Sequence, residues 1–246
     1  MSFNVVIPAR YASTRLPGKA LLILKEKPIV QHVYENACAS GASEVIIATD
    51  DERIVKAAEN FNANICLTSD KHTSGTDRIA EVASINGWGD EVTIVNVQGD
   101  EPQMPAQNIM QVANNLLDND RISMSTLCAP ISESDDFLNP NVVKVIFDGN
   151  NVASNFSRDI TKLNCKNPNI DKKDIFRHLG IYAYNVGFLN TFTSLAPSSF
   201  EVKESLEQLR ALQNGYKIHV EVSNLPTGIG VDTEEDYAAL LRSSKI

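Results

Sequence analysis

Apolar positions along the chain fall into two alternating patterns. Short continuous runs occupy residues 3–7, then 44–49 (EVIIAT) and 92–97 (VTIVNV). None alternates strictly with polar residues, so they read as strands buried on both faces, as in a parallel sheet. Between them the spacing turns helical. Ile29, Val30, Val33 and Ala37 share a face behind Pro28, which suits a first helical position, and Gly41 ends the segment. Ile54, Val55, Ala58 and Phe61 form a second stripe, and Ile109, Val112, Ala113 and Leu116 follow the i, i+3, i+4, i+7 rule. Strands and helices in alternation predict βαβ units with right-handed crossovers, hence an α/β fold.

The second half is richer in strand patterns. Residues 142–147 (VVKVIF), 152–157 (VASNFS) and 180–186 (GIYAYNV) are strand-like, with Asp148-Gly149 as a hairpin turn between the first two. Residues 164–174 are polar and aperiodic, which predicts a mobile loop. A helix is expected over 202–214, with Leu206, Leu209 and Leu212 inward and Gly215 as stop; a strand at 218–222 and a helix at 233–243 complete the pattern. No repeat or linker divides the chain, so residues 1–246 read as one α/β domain with a β-rich insertion at about 140–190.

Composition narrows the class. A hydrophobic content of 43% describes a globular chain, and no apolar run approaches the ~20 residues of a membrane span. Residues 1–19 lack the charged leader and cleavage site of a signal peptide. Cys38, Cys66, Cys128 and Cys165 match neither a disulfide framework nor a CxxC metal pattern, so reduced thiols are expected. A net charge of −9 argues against a nucleic-acid binder. Its distribution is more informative: Arg10, Arg15, Lys19, Lys25 and Lys27 face only Glu26 in residues 1–27, a local +4 on a remainder of −13. A cationic opening on an acidic body suits a focused site for a small polyanion.

The candidate chemistry follows the strand ends, where open α/β sheets bind ligands. Residues 8–19 supply hydroxyls, backbone amides and Arg10, Arg15 and Lys19, a set suited to a triphosphate. The loop is not a Walker A motif, because Ala20 follows Gly18-Lys19, and it is not GxGxxG. Asp100, on a glycine turn after the 92–97 run, suits Mg²⁺ beside a nucleotide, or simply stabilises the turn. Asp232 has a competing structural reading as a helix N-cap paired with Glu235. His178 can serve a ligand or sit as a satisfied core residue, and Glu207 can form a surface ion-pair triplet with Lys203 and Arg210.

Taken in order and spacing, IPARYASTRLPGK (7–19), IATDD (47–51), HTSGTDRIAE (72–81), VNVQGDEP (95–102), NPNVVKV (139–145), FRHLGIYAY (176–184), LEQLR (206–210) and GVDTEED (230–236) resemble the 3-deoxy-manno-octulosonate cytidylyltransferases, or CMP-Kdo synthetases. The resemblance implies a nucleotide-diphospho-sugar transferase-like fold, a Rossmann-like mixed sheet flanked by helices with a β-rich dimerisation insertion. It implies a cytoplasmic, Mg²⁺-dependent homodimer that converts CTP and Kdo into CMP-Kdo and diphosphate for lipopolysaccharide biosynthesis in a Gram-negative bacterium. By the same resemblance, Arg10, Ser13, Arg15 and Lys19 hold the triphosphate, and Ser74, Gly75, Arg78 and Gln98 surround the cytosine, ribose or sugar. Asp100 and Asp232 hold Mg²⁺ and, with Lys19, form the catalytic set. Gln98, His178, Tyr182 and Glu207 contact the ulosonic acid.

One stretch departs from the family pattern. After Asn155-Phe156-Ser157-Arg158 the expected Ile-Pro-x-x-Arg motif is missing, and Asn155 replaces an aromatic residue. Arg158 is the expected partner of the sugar carboxylate, with Lys162 as a weaker stand-in. An ulosonic acid altered at its distal end, such as 8-amino-Kdo, is therefore a second candidate substrate. A sugar-1-phosphate nucleotidyltransferase, a metal-dependent glycosyltransferase and a non-catalytic CTP-binding protein compete with the cytidylyl-transfer reading.

Overall fold

A computed structural model describes residues 2–119, 121–131, 134–163 and 171–243. In chain order the strands are β1 (Phe3–Pro8), β2 (Ile23–Leu24), β3 (Lys27–Pro28), β4 (Glu44–Thr49), β5 (Asn64–Leu67), β6 (Thr93–Asn96), β7 (Met124–Pro130), β8 (Lys144–Phe147), β9 (Ala153–Ser157), β10 (Phe176–Asn185) and β11 (Ile218–Val222). The helices are α1 (Ile29–Cys38), α2 (Glu52–Glu59), α3 (Gly75–Ile85), α4 (Ala106–Leu117), α5 (Ile160–Leu163), α6 (Val186–Ser194), α7 (Ser199–Glu204), α8 (Gln208–Gln213) and α9 (Glu234–Ser243).

The main sheet runs β11-β7-β10-β6-β1-β4-β5. β5, β4, β1 and β6 are parallel neighbours in the doubly wound manner, and α3 carries the chain from β5 across to β6. The strand order therefore reverses beside β1, and the crevice at the carboxyl ends of β1 and β6 is the expected ligand position. β10 inserts antiparallel between β6 and β7, and β11 pairs parallel with β7 at the edge. Of the β-rich region expected at 140–190, the β8–β9 hairpin lies off this path on the start of β10, whereas β10 itself belongs to the main sheet.

Alternate residues explain why the early runs lack polar positions. Val5, Ile7, Val45 and Ile47 pack on one face against α1, α2 and α4. Val6, Ile46 and Ala48 pack on the other, against α3 and the helices of the second half. Fully burying such a side chain stabilises the fold by about 1.5–3 kcal/mol, so covering both faces selects apolar residues at every position.

Several expectations need correction. Pro28 stands one residue earlier than expected, as the N-cap of α1. The single helix expected over 202–214 is two, separated at Ser205, which adopts φ 54° and ends α7. The Asp148-Gly149 hairpin exists, but its left-handed residue is Asn151 (φ 59°). The mobile loop expected at 164–174 falls outside the described residues from 164 to 170; Lys172–Asp174 form a short 3-10 turn. Cys38, Cys66 and Cys128 are free thiols, and Cys165 lies outside the described residues.

Candidate active site

The loop after β1 and the turn after β6 meet because two glycines allow it. Gly99 N donates to Pro8 O, and a Cβ on Gly99 would sit 3.0 Å from that carbonyl and 3.1 Å from Ala9 Cβ. Gly75, at the start of α3, packs against the ring of Pro8 in the same way, with Gln98 Nε2 beside it. A crevice of about 110 Å³ opens here, lined by Arg10, Lys19, Gln98 and Asp100.

Lys19 is the centre of the charged cluster. Its Nζ donates to Asp100 Oδ2 and, at 2.8 Å, to Asp232 Oδ1, while Arg15 Nη2 lies 2.8 Å from Asp232 Oδ2. Burial pulls the Lys19 pKa down, but the charge and hydrogen bonds of the two carboxylates outweigh it, so the ammonium titrates above its usual range. Burial pushes Asp232 up, and Lys19 and Arg15 overcome that to leave its carboxyl below the usual range. The N-cap reading of Asp232 is therefore corrected: Thr233 Oγ1 accepts from Asp236 N, and Asp236 Oδ2 accepts from Asp232 N and Thr233 N. The cap belongs to Thr233 and Asp236, which frees the Asp232 side chain for the site.

The segment that delivers Asp232 is seated on the β6 turn. Val231 N donates to Asp100 O at 2.9 Å. Gly230 lies against the Glu101 carboxyl, and Gly228 lies so close to Gln103 that an added Cβ would come within 2.7 Å of Gln103 Cβ. Sequence reasoning missed Glu101, which follows Asp100 directly; burial and the neighbouring Asp100 charge push its pKa up to about 8.

The cationic opening divides. Arg10, Arg15 and Lys19 face the crevice region, whereas Lys27 pairs with Glu35 on α1 at 2.8 Å. Ser13 is buried, its N–H donating to Tyr11 O at 2.8 Å and its Oγ accepting from Leu16 N at 3.5 Å. Ser74 caps α3, accepting from Asp77 N at 3.1 Å. Arg78 is buried and ties Asp50 Oδ2 (2.8 Å) to Thr68 Oγ1 (2.5 Å), so it braces the loops after β4 and β5 instead of opening onto the crevice.

His178, Tyr182 and Glu207 form a second group across β6, with Tyr182 opposite Asn96 in the ladder. His178 and Tyr182 rings stand 5.4 Å apart, and Phe156 packs edge-on to His178. Thr126 Oγ1 donates to Ile181 O at 2.7 Å and lies 2.9 Å from His178 Nε2, holding the β10 bulge between Leu179 and Tyr182. Burial drives the His178 pKa down to about 3, so the imidazole is neutral. The surface-triplet reading of Glu207 is corrected. Glu207 precedes α8, is half-buried, and accepts from Thr76 Oγ1 at 2.7 Å, while Arg210 forms a buried two-bond pair with Glu201 at 2.9 and 2.5 Å. Glu207 Oε1 and Gln208 Nε2 stay buried without hydrogen-bond partners, an acceptor and a donor in one small cavity with Tyr182. Thr76 and Gln208 were also missed, although they lie inside HTSGTDRIAE and LEQLR.

Arg158 is held apart from these groups. Its Nε and Nη1 donate to Glu204 O (3.0 Å) and Pro140 O (3.1 Å), and Lys162 Nζ meets Glu204 Oε1 at 2.5 Å. The departing segment thus fastens β9 and α5 to α7. No cluster of three or more His, Cys, Asp or Glu side chains is arranged for a metal among the described residues, and Asp100 and Asp232 meet at the Lys19 ammonium. No helix of the described residues is long and apolar enough to cross a membrane.

Known proteins carry the same arrangement of sequence and fold. A cytidylyltransferase family model matches residues 4–218. The 3-deoxy-manno-octulosonate cytidylyltransferase of Francisella philomiragia subsp. philomiragia is 50% identical over 239 residues, covering 96% of each chain. In Actinobacillus pleuropneumoniae serotype 5b, 3-deoxy-manno-octulosonate cytidylyltransferase 2 is 48% identical over 242 residues, again 96% of each. A solved structure of CMP:2-keto-3-deoxy-manno-octonic acid synthetase complexed with CTP aligns over 100% of both chains, with a TM-score of 0.88 and 36% identity. With its first loop, its β6 turn and its GVDTEED segment joined at one lysine, the chain belongs to the 3-deoxy-manno-octulosonate cytidylyltransferase family.

Proposed function

We propose that the protein transfers a cytidylyl group from CTP to 3-deoxy-manno-octulosonate. The anomeric hydroxyl loses its proton to solvent as its oxygen attacks the α-phosphorus in line, the bond from that phosphorus to the bridging oxygen breaks, and diphosphate leaves as CMP-Kdo forms. The observation that carries this reading is the convergence of Lys19, Asp100 and Asp232 at the switch-point crevice, in a chain whose curated relatives of the same length share about half its residues.

Both substrates are anions, so charge must be offset before they can meet. Arg10, Arg15 and Lys19 supply it from the first loop, and in this reading Lys19 stabilises charge developing on the leaving diphosphate. Gln98 is steadied by its bond to Asn96 Oδ1 at 2.8 Å and stands between the two groups of residues. Glu207 Oε1 and Gln208 Nε2 share a cavity of about 10 Å³, room for a single water, and so brace the site from behind, while the fixed rings of His178 and Tyr182 give the sugar a rigid wall. Holding both reactants in register supplies much of the remaining acceleration.

Mg²⁺ is part of the proposal. Asp100 and Asp232 bring hard carboxylate oxygens to one point, now bridged by an ammonium group, and Mg²⁺ takes one or two protein carboxylates and completes its shell with phosphate oxygens and water. These residues fit the ion. Bound there, it supplies further neutralisation of phosphate charge.

A cytoplasmic homodimer completes the reading. Leu138, Phe200 and Val202 are exposed apolar side chains in the segments that Arg158 ties together through Pro140 and Glu204, which supports a subunit contact there.

The test is diphosphate release with CTP, Mg²⁺ and Kdo, run beside 8-amino-Kdo and a sialic acid. Fast release with Kdo is expected. Release with another ulosonic acid only would keep the reaction and move the sugar specificity to residues 155–164. Silence with all three, in protein that binds CTP, would overturn catalysis.

A further inference from the structure

Arg53, at the start of α2, belongs to none of the groups described above, yet its guanidinium lies 3.3 Å from the centroid of the Tyr11 ring. Asp51 holds that guanidinium flat by two bonds, Nε to Oδ1 at 2.8 Å and Nη2 to Oδ2 at 2.6 Å. Asp51 is itself anchored to the end of β4, its N–H donating to Thr49 Oγ1 at 3.2 Å, and it caps α2 through Arg53 N at 2.9 Å. One end of this chain of contacts is therefore rigid sheet.

The other end is the first loop. Tyr11 O accepts from both Ser13 N and Gly18 N, each at 2.8 Å, which closes the neck of the loop. The Tyr11 ring packs against Gly18, where an added Cβ would lie 2.9 Å from the ring edge. Gly18 has φ +73°, a left-handed conformation natural to glycine, and it opens the 3-10 turn that begins with Lys19. A cation over an aromatic face within about 6 Å is attracted by the ring quadrupole, and here the fork from Asp51 fixes its orientation in advance.

We propose that Arg53 is a positioning residue for the first loop, a strut from the β4–α2 corner through Tyr11 to Gly18 that sets where Lys19 stands. The inference rests on reading residues 9–19 as the CTP loop, and the experiment separates the two. Arg53 is exposed, so its removal spares the core. Arg53→Ala is expected to raise KM for CTP about two- to fivefold, the size of an exposed cation–π contact. KM for the sugar and the melting temperature stay unchanged. Tyr11→Leu gives the same rise, the double variant adds nothing further, and Tyr11→Phe, which keeps the ring, leaves KM near wild type.

Limited trypsin digestion reads the loop without any substrate, because Arg10, Arg15 and Lys19 are cleavage points within it. Faster cleavage there in Arg53→Ala and Tyr11→Leu, but not in Tyr11→Phe, is the expected result, even if the wild type were to fail with CTP. Unchanged cleavage together with unchanged KM would overturn the strut. So would additive effects of the two substitutions, which would make Arg53 an independent charge, or a parallel rise in both KM values with a lower melting temperature, which would make it merely structural.

Discussion

Lys19 Nζ stands 2.8 Å from Asp232 Oδ1, across 213 residues of chain, and the same ammonium holds Asp100. Removing it leaves two carboxylates facing each other, with Arg15 paired to Asp232 and Arg10 on the crevice wall to offset them. Lys19→Met is expected to lower kcat by about 10²–10³-fold, the cost of losing one charged donor to a transition state. The freed carboxylates should bind Mn²⁺ more tightly than wild type in the absence of nucleotide, which an electron paramagnetic resonance titration reads directly.

The seating of residues 228–231 predicts an order among glycine variants. Gly228→Ala brings its Cβ to 2.7 Å from Gln103 Cβ, an atom that no side-chain rotation removes, whereas Gly230→Ala meets only the carboxyl end of Glu101. Gly228→Ala should be the worse, destabilising by about 1–3 kcal/mol as overpacking does and lowering kcat/KM by displacing Asp232. Gln103→Gly should restore it and Gln103→Ala should not. Steady-state kinetics on the paired variants decides.

His178 predicts a pH dependence of stability. Its folded pKa is about 3 because burial excludes the charged form, against about 6.5 in the unfolded chain. Between those values the unfolded chain takes up a proton that the folded chain refuses, so stability falls as pH drops from about 6.5 toward 3. The slope is up to about 1.4 kcal/mol per pH unit. His178→Gln removes this term, so the stability gap between wild type and variant should shrink on acidification. Urea denaturation at pH 7, 6 and 5 measures it.

The Arg210–Glu201 pair is buried, with each side chain close to one-tenth exposed. Glu201→Ala strands the guanidinium and also dismantles the Ser198 capping box of α7. The expected cost is about 3–5 kcal/mol, larger than for any exposed pair of this chain. Replacing both partners by apolar residues should recover most of that loss. Denaturant midpoints of the three variants would show it.

What the sequence discloses depends on how each element satisfies its polar groups. β1, β4 and β6 are legible because two covered faces demand apolar side chains throughout. β7 is not, because Ser125 and Thr126 look polar yet are fully buried, their hydroxyls donating to Val112 O and Ile181 O. Hydropathy does not register a hydroxyl satisfied by a distant carbonyl. The break between α7 and α8 is equally silent, since Val202, Leu206, Leu209 and Leu212 keep helical spacing across Ser205 while its backbone turns left-handed. That break places Glu207 ahead of α8 and beside Thr76, out of the ion-pair row that helical spacing implied.

In the site, Lys19 and Asp100 are legible because they follow strand ends. The partnership of Asp232 with Lys19 is not, because a local cap explains the same residues as well until Thr233 and Asp236 are seen to make it. The partners of Arg78 are not legible either. It sits within a motif beside the crevice, and its guanidinium is consumed by Asp50 and Thr68.

The docking of residues 228–231 on the β6 turn also joins parts of the site that are made far apart in time during synthesis. The first loop and Asp100 precede Asp232 by more than 130 residues in the chain. Until the segment around residue 232 arrives, Lys19 has one carboxylate instead of two, and the Asp100 carbonyl lacks the N–H of Val231. A chain that stops before Asp232 therefore lacks one of the two carboxylates that hold the Lys19 ammonium.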